Sequence, residues 1–380
     1  MKWLFAFPFE LPPGQTVTDV LLDRVPSSGT VASIRLALAL AELGGEYAIL
    51  DSTIGPRVDA DSILVLPPAS AMRVLGSLRE CSARVVFWLH NNLAIDLLDS
   101  AFRIGLDRAI CVSHPAAATY DSYPWWGRVE VIPYSLRGDF PFTTKRPDGK
   151  CVAFIGATTE SKGFHHLLAA WPLVSERLPD ATLEVFGSAA LHHPSARMGS
   201  SGVMTAEFEA RYWRQPAQVH FRGSLPRAEL CRELQEMRVA VVNPNLSGGT
   251  ETFCLSAVEA QACGVPVIGA AAQGLLETVA DGRSGLLIRS QSPRDLADAI
   301  VRLLIDDGLQ RRLANGALAH AEQFRSPRVE AERWIAMVER IRNGDPAVRS
   351  RSKSGRVLGA LGIGRAKLAL KRRLQPHPDL

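Results

Sequence analysis

Short, largely apolar runs alternate with helical periods along most of this chain, and that alternation restricts its fold more than any other feature. The spacing predicts strands at Ser62–Leu66, Arg84–Leu89, Arg108–Val112, Val129–Ile132, Cys151–Ile155, Thr182–Phe186, Val239–Val242, Val265–Ile268 and Leu286–Ile288. Several are apolar almost throughout, as strands covered on both faces must be. Between them, Ile34–Leu43 reads as a helix closed by Gly44–Gly45. Phe164, Leu167, Leu168 and Trp171 fall on one helical face, and Leu296, Ile300, Leu303 and Leu304 repeat the pattern. Strand–helix alternation of this kind implies an α/β fold with parallel sheets. A polar segment with two prolines and two glycines, Ser135–Lys150, interrupts the pattern, which then restarts at Cys151. The expected plan is an N-terminal domain over 1–140, a linker over 141–150 and a C-terminal domain over 151–326. A helix over 327–343 follows, then a tail over 344–380. Both domains read as doubly wound and Rossmann-like, facing a central cleft. Ligands of open α/β sheets bind at the carboxyl ends of the strands, so two such sheets would share one site.

Composition narrows the function classes. The net charge is +4 over 380 residues, but 344–380 holds nine basic and two acidic side chains, leaving a body of −3. Such a body is unsuited to nucleic acid. The six cysteines form no C-x-x-C pair and read as reduced, mostly buried thiols of a cytoplasmic protein. The opening MKWLFAFPFELPPG reads as a first strand rather than a signal peptide. No apolar run reaches the roughly 20 residues that span a bilayer.

Asn243–Ile288 is the most informative segment. Glu251 sits in a loop after a strand, and Glu259 lies eight positions on, inside the helix ending at Gly264. Gly248 and Gly249 let a ligand approach the backbone. The amides of Phe253, Cys254 and Leu255 open a helix, where the dipole favours an anion such as phosphate. A carboxylate one turn further in can accept from two adjacent ribose hydroxyls. These residues describe a nucleotide cradle; the alternative is that both glutamates are solvated helix-face charges.

The segment resembles the donor-site signature of family-four retaining glycosyltransferases of GT-B fold, the glycosyl transferases of group 1. That family writes E-x-F-G-L-x-x-x-E-A-x-A-x-G-x-P-V. This chain keeps Glu251, Phe253, Leu255, Glu259, Ala260, Ala262, Gly264, Pro266 and Val267, with Cys254 in place of glycine. The loop GATTESKGF after Cys151–Ile155 matches the family's pyrophosphate loop at Gly156, Lys162 and Gly163, with Ala157 where arginine is common. Gly29 matches the glycine-rich first loop, and His90 ends a strand where the family often places a histidine facing the donor sugar. The resemblance covers roughly 25–340.

The resemblance implies a retaining transferase that moves a sugar from a nucleotide diphosphate sugar to a hydroxyl acceptor, needing no metal or other cofactor. Glu251, His90 and Lys162 would serve catalysis. Gly29, Gly156, Lys162, Gly249, Phe253, Cys254, Leu255 and Glu259 would bind substrate. The acceptor would be a glycan or a lipid-linked molecule in bacterial surface polysaccharide or lipopolysaccharide synthesis. Two other readings stay open: another reaction on the same fold, such as epimerisation, and a lapsed, purely binding protein.

Other patterns carry less. Asp59–Ala60–Asp61 spells the D-x-D that binds a cation in a different glycosyltransferase fold. His165–His166 and His192–His193 are adjacent pairs, expected to point apart. There is no Walker A, no G-x-G-x-x-G after a strand and no G-x-S-x-G. The tail over 349–374 interleaves basic residues with Leu, Ile and Val. It suits an anionic membrane surface at the inner face of the membrane, with a solvated tail as the alternative.

Overall fold

The computed structural model describes residues 1–7, 29–51, 62–66, 83–136, 142, 147–189, 204–214, 216, 218–247 and 251–343. Gly249, Asp59, Asp61, His192, His193, most of the linker and the basic tail lie outside the described residues. The chain forms two compact units. One is built on Leu40–Pro133, with the first strand and the chain from Glu330; the other contains Tyr134–Val329.

The N-terminal unit holds β1 (Lys2–Phe7), β2 (Glu46–Asp51), β3 (Ser62–Leu66), β4 (Arg84–Leu89), β5 (Arg108–Cys111) and β6 (Val129–Val131). The sheet runs β2-β1-β3-β4-β5-β6, every pair parallel. β3 is buried along its whole length and β4 from its second residue on, as expected of strands covered on both faces. Leu98, Ala101 and Phe102 of helix Ile95–Ile104 close one face over Leu64, Val85 and Phe87. From Glu330 on, helix Pro327–Arg342 belongs to this unit. Its Trp334 ring lies 5.0 Å from that of Trp88 and 6.4 Å from that of Trp3, all three fully buried. Further along, Arg340 pairs with Glu130, which also faces Arg108 at 3.5 Å.

The C-terminal unit holds β7 (Cys151–Ile155), β8 (Thr182–Phe186), β9 (Val219–Gly223), β10 (Val239–Val242), β11 (Val267–Ala270) and β12 (Gly285–Ile288). Its sheet runs β12-β11-β10-β7-β8-β9 and is also wholly parallel. β7 and β10 are therefore neighbours from which the chain departs in opposite directions, a topological switch point. Helices Phe164–Arg177 and Pro293–Ile305 pack on one face through Phe164, Leu167, Trp171, Leu296, Ile300 and Leu303.

Eight of the nine expected strands hold to within one residue at each end, and the first strand is present. β2 and β9 were not anticipated. Val219–Gly223 is exposed or half-exposed at its first four positions, so it lacks the apolar run that marks the central strands. β11 starts two residues later than expected. Val265 N is taken by Ala260 O at the end of the preceding helix, and Pro266 has no N–H to offer the ladder. The five described cysteines are free thiols.

After β8 the backbone passes so close to the end of β7 that a Cβ on Gly187 would lie 2.1 Å from Gly156 O, at a φ of +133°. Gly187→Ala should cost about 2 kcal/mol or more. Gly308→Ala, in the first turn of a helix with its nearest neighbour at 3.4 Å, should be neutral or slightly stabilising. Urea unfolding of the two variants checks the contrast.

Candidate active site

Four loops at the carboxyl edge of the second sheet build the site. The first follows β7. Gly156 takes a φ of +151° and donates to Phe186 O at 3.0 Å, which turns the loop across the end of β8. Ala157, where the resembled family favours arginine, is buried. The loop ends at Gly163, in a left-handed conformation at φ +71°. A Cβ there would meet Asn245 N at 2.9 Å and Pro244 Cδ at 3.0 Å. The Lys-Gly order thus has a steric reason: only glycine lets this loop lie against the one after β10, and Lys162 is its neighbour.

The second loop follows β10 and carries Asn243, Asn245 and Glu251. Lys162 Nζ donates to Glu251 Oε2 at 2.7 Å, with the two side chains 20% and 15% exposed. Asn243 Nδ2 donates to the same oxygen at 3.1 Å. Asn245 Nδ2 donates to Glu160 O at 2.9 Å, tying the two loops together through the backbone. The third loop follows β11: Gly274 N donates to Glu251 O at 2.8 Å and fixes the glutamate's main chain. A Cβ on Gly274 would lie 2.5 Å from Thr252 O, so this approach too demands glycine.

The fourth loop follows β9. Arg227 opens helix Arg227–Leu234, and its Nε donates to Glu259 Oε1 at 2.7 Å. Both side chains are about nine-tenths buried. Glu259 sits on helix Leu255–Ala262, whose N-cap is Cys254. Phe253 is buried edge-on between Tyr134 and Phe324, each 5.4 Å away. Leu255 is half-buried at the first helical position.

The electrostatics follow from these contacts. Burial works to lower the Lys162 pKa, but the facing Glu251 carboxylate outweighs it and leaves the ammonium above its ordinary value. The Lys162 ammonium is therefore charged at neutral pH. Burial drives the Cys254 thiol upward, so it stays protonated. No group of three or more His, Cys, Asp or Glu that could hold a metal ion occurs among the described residues.

The structure thus brings together Lys162 and Glu251 around the switch point, with Glu259 eight residues on, on the helix that the Glu251 loop leads into. It places Gly156, Phe253, Cys254 and Leu255 on the same loops. Gly29 opens helix Gly29–Glu42. His90 belongs to the N-terminal unit, directly after β4. Its ring lies 4.6 Å from that of Trp88, and burial pushes the imidazole from 6.5 down to about 3. The rings of His165 and His166, expected to point apart, lie 3.9 Å from each other, tilted by 39°. Tyr212 draws the first ring and Asn245 the second.

Sequence reasoning missed Asn243 and Arg227. Each is the kind of polar residue that commonly follows a strand. Only their position at a strand's carboxyl end could have marked them.

The second unit is thus a wholly parallel, doubly wound sheet whose switch point carries a lysine–glutamate pair, at the edge where open α/β sheets bind ligands. Residues 138–320 match the family described as Glycosyl transferases group 1. The chain is 35% identical over 194 residues to a D-inositol 3-phosphate glycosyltransferase of Corynebacterium aurimucosum, covering 51% of this chain and 42% of the relative. It is 35% identical over 201 residues to the enzyme of that name from Jonesia denitrificans, covering 52% and 44%. It thus spans under half the length of these curated relatives. Sucrose-phosphate synthase from Thermosynechococcus elongatus superposes with a TM-score of 0.68 at 17% identity, covering 90% of this chain and 100% of that one. Anabaena HepE, solved in complex with UDP, does so with a TM-score of 0.65 at 17% identity, covering 89% and 100%. At that identity the likeness is one of fold: the two doubly wound units are those of the GT-B glycosyltransferases.

The His90 environment has a pH signature. Between pH 6.5 and about 3 the unfolded chain binds a proton that the folded chain refuses, so stability falls as pH falls through that window. From pH 6 to 4 the wild type should lose stability faster than His90→Asn, by at most about 1.4 kcal/mol per pH unit. Urea midpoints measured across that range test it, and parallel slopes would place the ring in solvent.

Proposed function

We propose that the protein transfers a sugar from a nucleotide diphosphate sugar to a hydroxyl acceptor with retention of anomeric configuration. The observation that carries this reading is the Lys162–Glu251 contact of 2.7 Å at the switch point of the second sheet. A cation held there by a carboxylate can neutralise a pyrophosphate, while that carboxylate takes hydroxyls of the attached sugar. Glu259, fixed by Arg227, would hold the ribose hydroxyls. The amides of Phe253–Leu255 at the start of helix Leu255–Ala262 would support the phosphates with the positive end of the helix dipole. Gly156 and Gly249 would let donor phosphates and sugar approach the backbone. Gly29 would do the same at the start of helix Gly29–Glu42.

The chemistry is electrostatic. Negative charge builds on the leaving diphosphate as the glycosidic bond breaks, and Lys162 with the helix amides would stabilise it where it develops. The leaving phosphate would take the acceptor's proton, so no pair of carboxylic acids of the glycosidase kind is needed. His90, neutral above about pH 3, would serve the donor sugar as a hydrogen-bonding group rather than as an acid. Lys162 supplies the positive charge that a metal supplies elsewhere, which supports a metal-free reaction.

We assign the acceptor to glycan or lipid-linked hydroxyls of bacterial surface polysaccharide or lipopolysaccharide synthesis, on the cytoplasmic side. A second acceptor, an inositol phosphate, is favoured by the names of the curated relatives. Assaying both acceptor classes with one donor decides between them. Released nucleoside diphosphate, followed with and without EDTA, tests the core reading. Glu251→Ala and Lys162→Met should each lower kcat/KM by about 10²–10³. Glu259→Gln should raise the donor KM about tenfold at nearly constant kcat. EDTA should change nothing. Undiminished turnover in Glu251→Ala would overturn the assignment.

The tail over 349–374 carries nine of the chain's basic residues. At about 1 kcal/mol for each one near an anionic surface, it suffices for peripheral membrane contact. The full chain should sediment with phosphatidylglycerol vesicles at low salt, and a chain ending at 343 should not. Equal sedimentation would leave the tail no such role.

A further inference from the structure

We infer that Asn243 is a donor-sugar residue, reading one hydroxyl itself while holding Glu251 in place to read another; this rests on the reading of Glu251 given above. Three observations carry it. Asn243 is the first residue after β10, at the switch point, and adopts φ +36° although it is not glycine. Left-handed backbone is costly for a residue with a side chain, and Asn is among the few that tolerate it. The conformation is held by the sheet, because Asn243 O accepts from Ala270 N at 3.3 Å. The residue is 3% exposed.

The second observation is the contact with Glu251. Asn243 Nδ2 and Lys162 Nζ both donate to Oε2. With Oε2 engaged twice, the carboxylate cannot rotate freely, and Oε1 keeps its acceptor sites for a ligand hydroxyl. The contact also fixes the amide's orientation. Flipping it would set the carbonyl oxygen against a carboxylate oxygen, two acceptors with no proton between them.

The third observation is what that orientation leaves behind. Asn243 Oδ1 is buried and has no hydrogen-bond partner among the described residues. A buried carbonyl oxygen without a donor is costly and uncommon in a folded protein. Here it sits on the side chain whose other end grips Glu251, in a strained backbone at the ligand edge of the sheet. Strain and an unmet acceptor in one residue at such an edge point to a ligand that supplies the donor. The ligand at this edge is the donor, and the proton would come from a sugar O–H neighbouring the one that Glu251 accepts. Two fixed acceptors side by side read two hydroxyls of a pyranose ring and reject an analogue lacking one, because a buried acceptor is then left unpaired.

The test separates the sugar from the nucleotide. Gly takes φ +36° without strain and lacks the amide, so Asn243→Gly should fold with unchanged or higher stability, read by urea unfolding. UDP-glucose, UDP-N-acetylglucosamine, GDP-mannose and ADP-glucose, with the matching nucleoside diphosphates, are titrated calorimetrically into the full chain. For the pair that the wild type binds, Asn243→Gly should weaken the nucleotide sugar about tenfold or more and leave the nucleoside diphosphate within twofold. Asn243→Asp, which sets a second carboxylate against Glu251, should weaken the nucleotide sugar further.

Sugar affinity unchanged in Asn243→Gly would overturn the inference while Glu251→Gln still weakened it. Equal weakening of both ligands would also overturn it, since that marks a residue shaping the nucleotide site. Sugar affinity unchanged in Glu251→Gln as well, or no binding by the wild type, would overturn the underlying reading of the site together with it.

Discussion

The backbone at Gly163 lies against Pro244 and Asn245 too closely for any side chain to intervene, and the chemistry of the second sheet depends on that contact. A lysine has a long, flexible stem, and placing its ammonium on one carboxylate oxygen costs conformational entropy. The cost falls when the main chain on both sides is already fixed. Gly163 fixes it from the β7 loop, Asn245 bonds across to Glu160 O, and Gly274 N holds Glu251 O from the β11 loop. Each tether joins loops that leave different strands. The carboxyl edge is thus braced across the switch point, where doubly wound sheets leave a crevice.

Charge burial at this edge is hard to explain as stabilisation. Removing a carboxylate and a guanidinium from water costs about as much as their attraction returns, and an apolar pair of the same size often serves a fold as well. Glu259 and Arg227 are nevertheless about nine-tenths buried at 2.7 Å, and Lys162 with Glu251 is only slightly more open. Two such pairs on adjoining loops, beside a strained Asn243, are a poor way to build a core. They are a good way to hold acceptors and a cation in fixed directions before a polar ligand arrives. Elsewhere in this unit burial is conventional: Phe154, Phe164, Leu167, Trp171 and Val174 close the sheet face without charge.

The central strands were legible because burial on both faces leaves an unbroken apolar run, as in CVAFI, RVVFWL and VAVV. Edge strands carry no such mark. Val219–Gly223 turns His220 and Arg222 to Glu184 on the neighbouring strand, and that polar contact hides it from any apolar pattern. The candidate site was legible where spacing carries the chemistry. Glu251 and Glu259 are linked through one helix, and Lys162–Gly163 through one turn. It was illegible where partners come from distant loops. Arg227 reaches Glu259 from 32 positions away, and no local pattern tells an asparagine before a proline from a turn residue. The burial that separates functional glutamates from solvated ones is likewise a tertiary property.

The N-terminal unit shows the same dependence on distant sequence. His90 takes its buried surroundings from the end of β4, and its ring lies against Trp88. Trp88 in turn lies edge-on to Trp334, from helix Pro327–Arg342 near the far end of the described chain. Arg340 on that helix is held by Glu130, which Arg108 also faces, so the helix cannot slide without breaking a buried charge contact. A shift of Trp334 would be transmitted through Trp88 to the histidine, since close-packed rings leave no void to absorb it. The last helix thus packs, through Trp334, on the tryptophan that lies beside His90, and is more than a terminal prop for the fold.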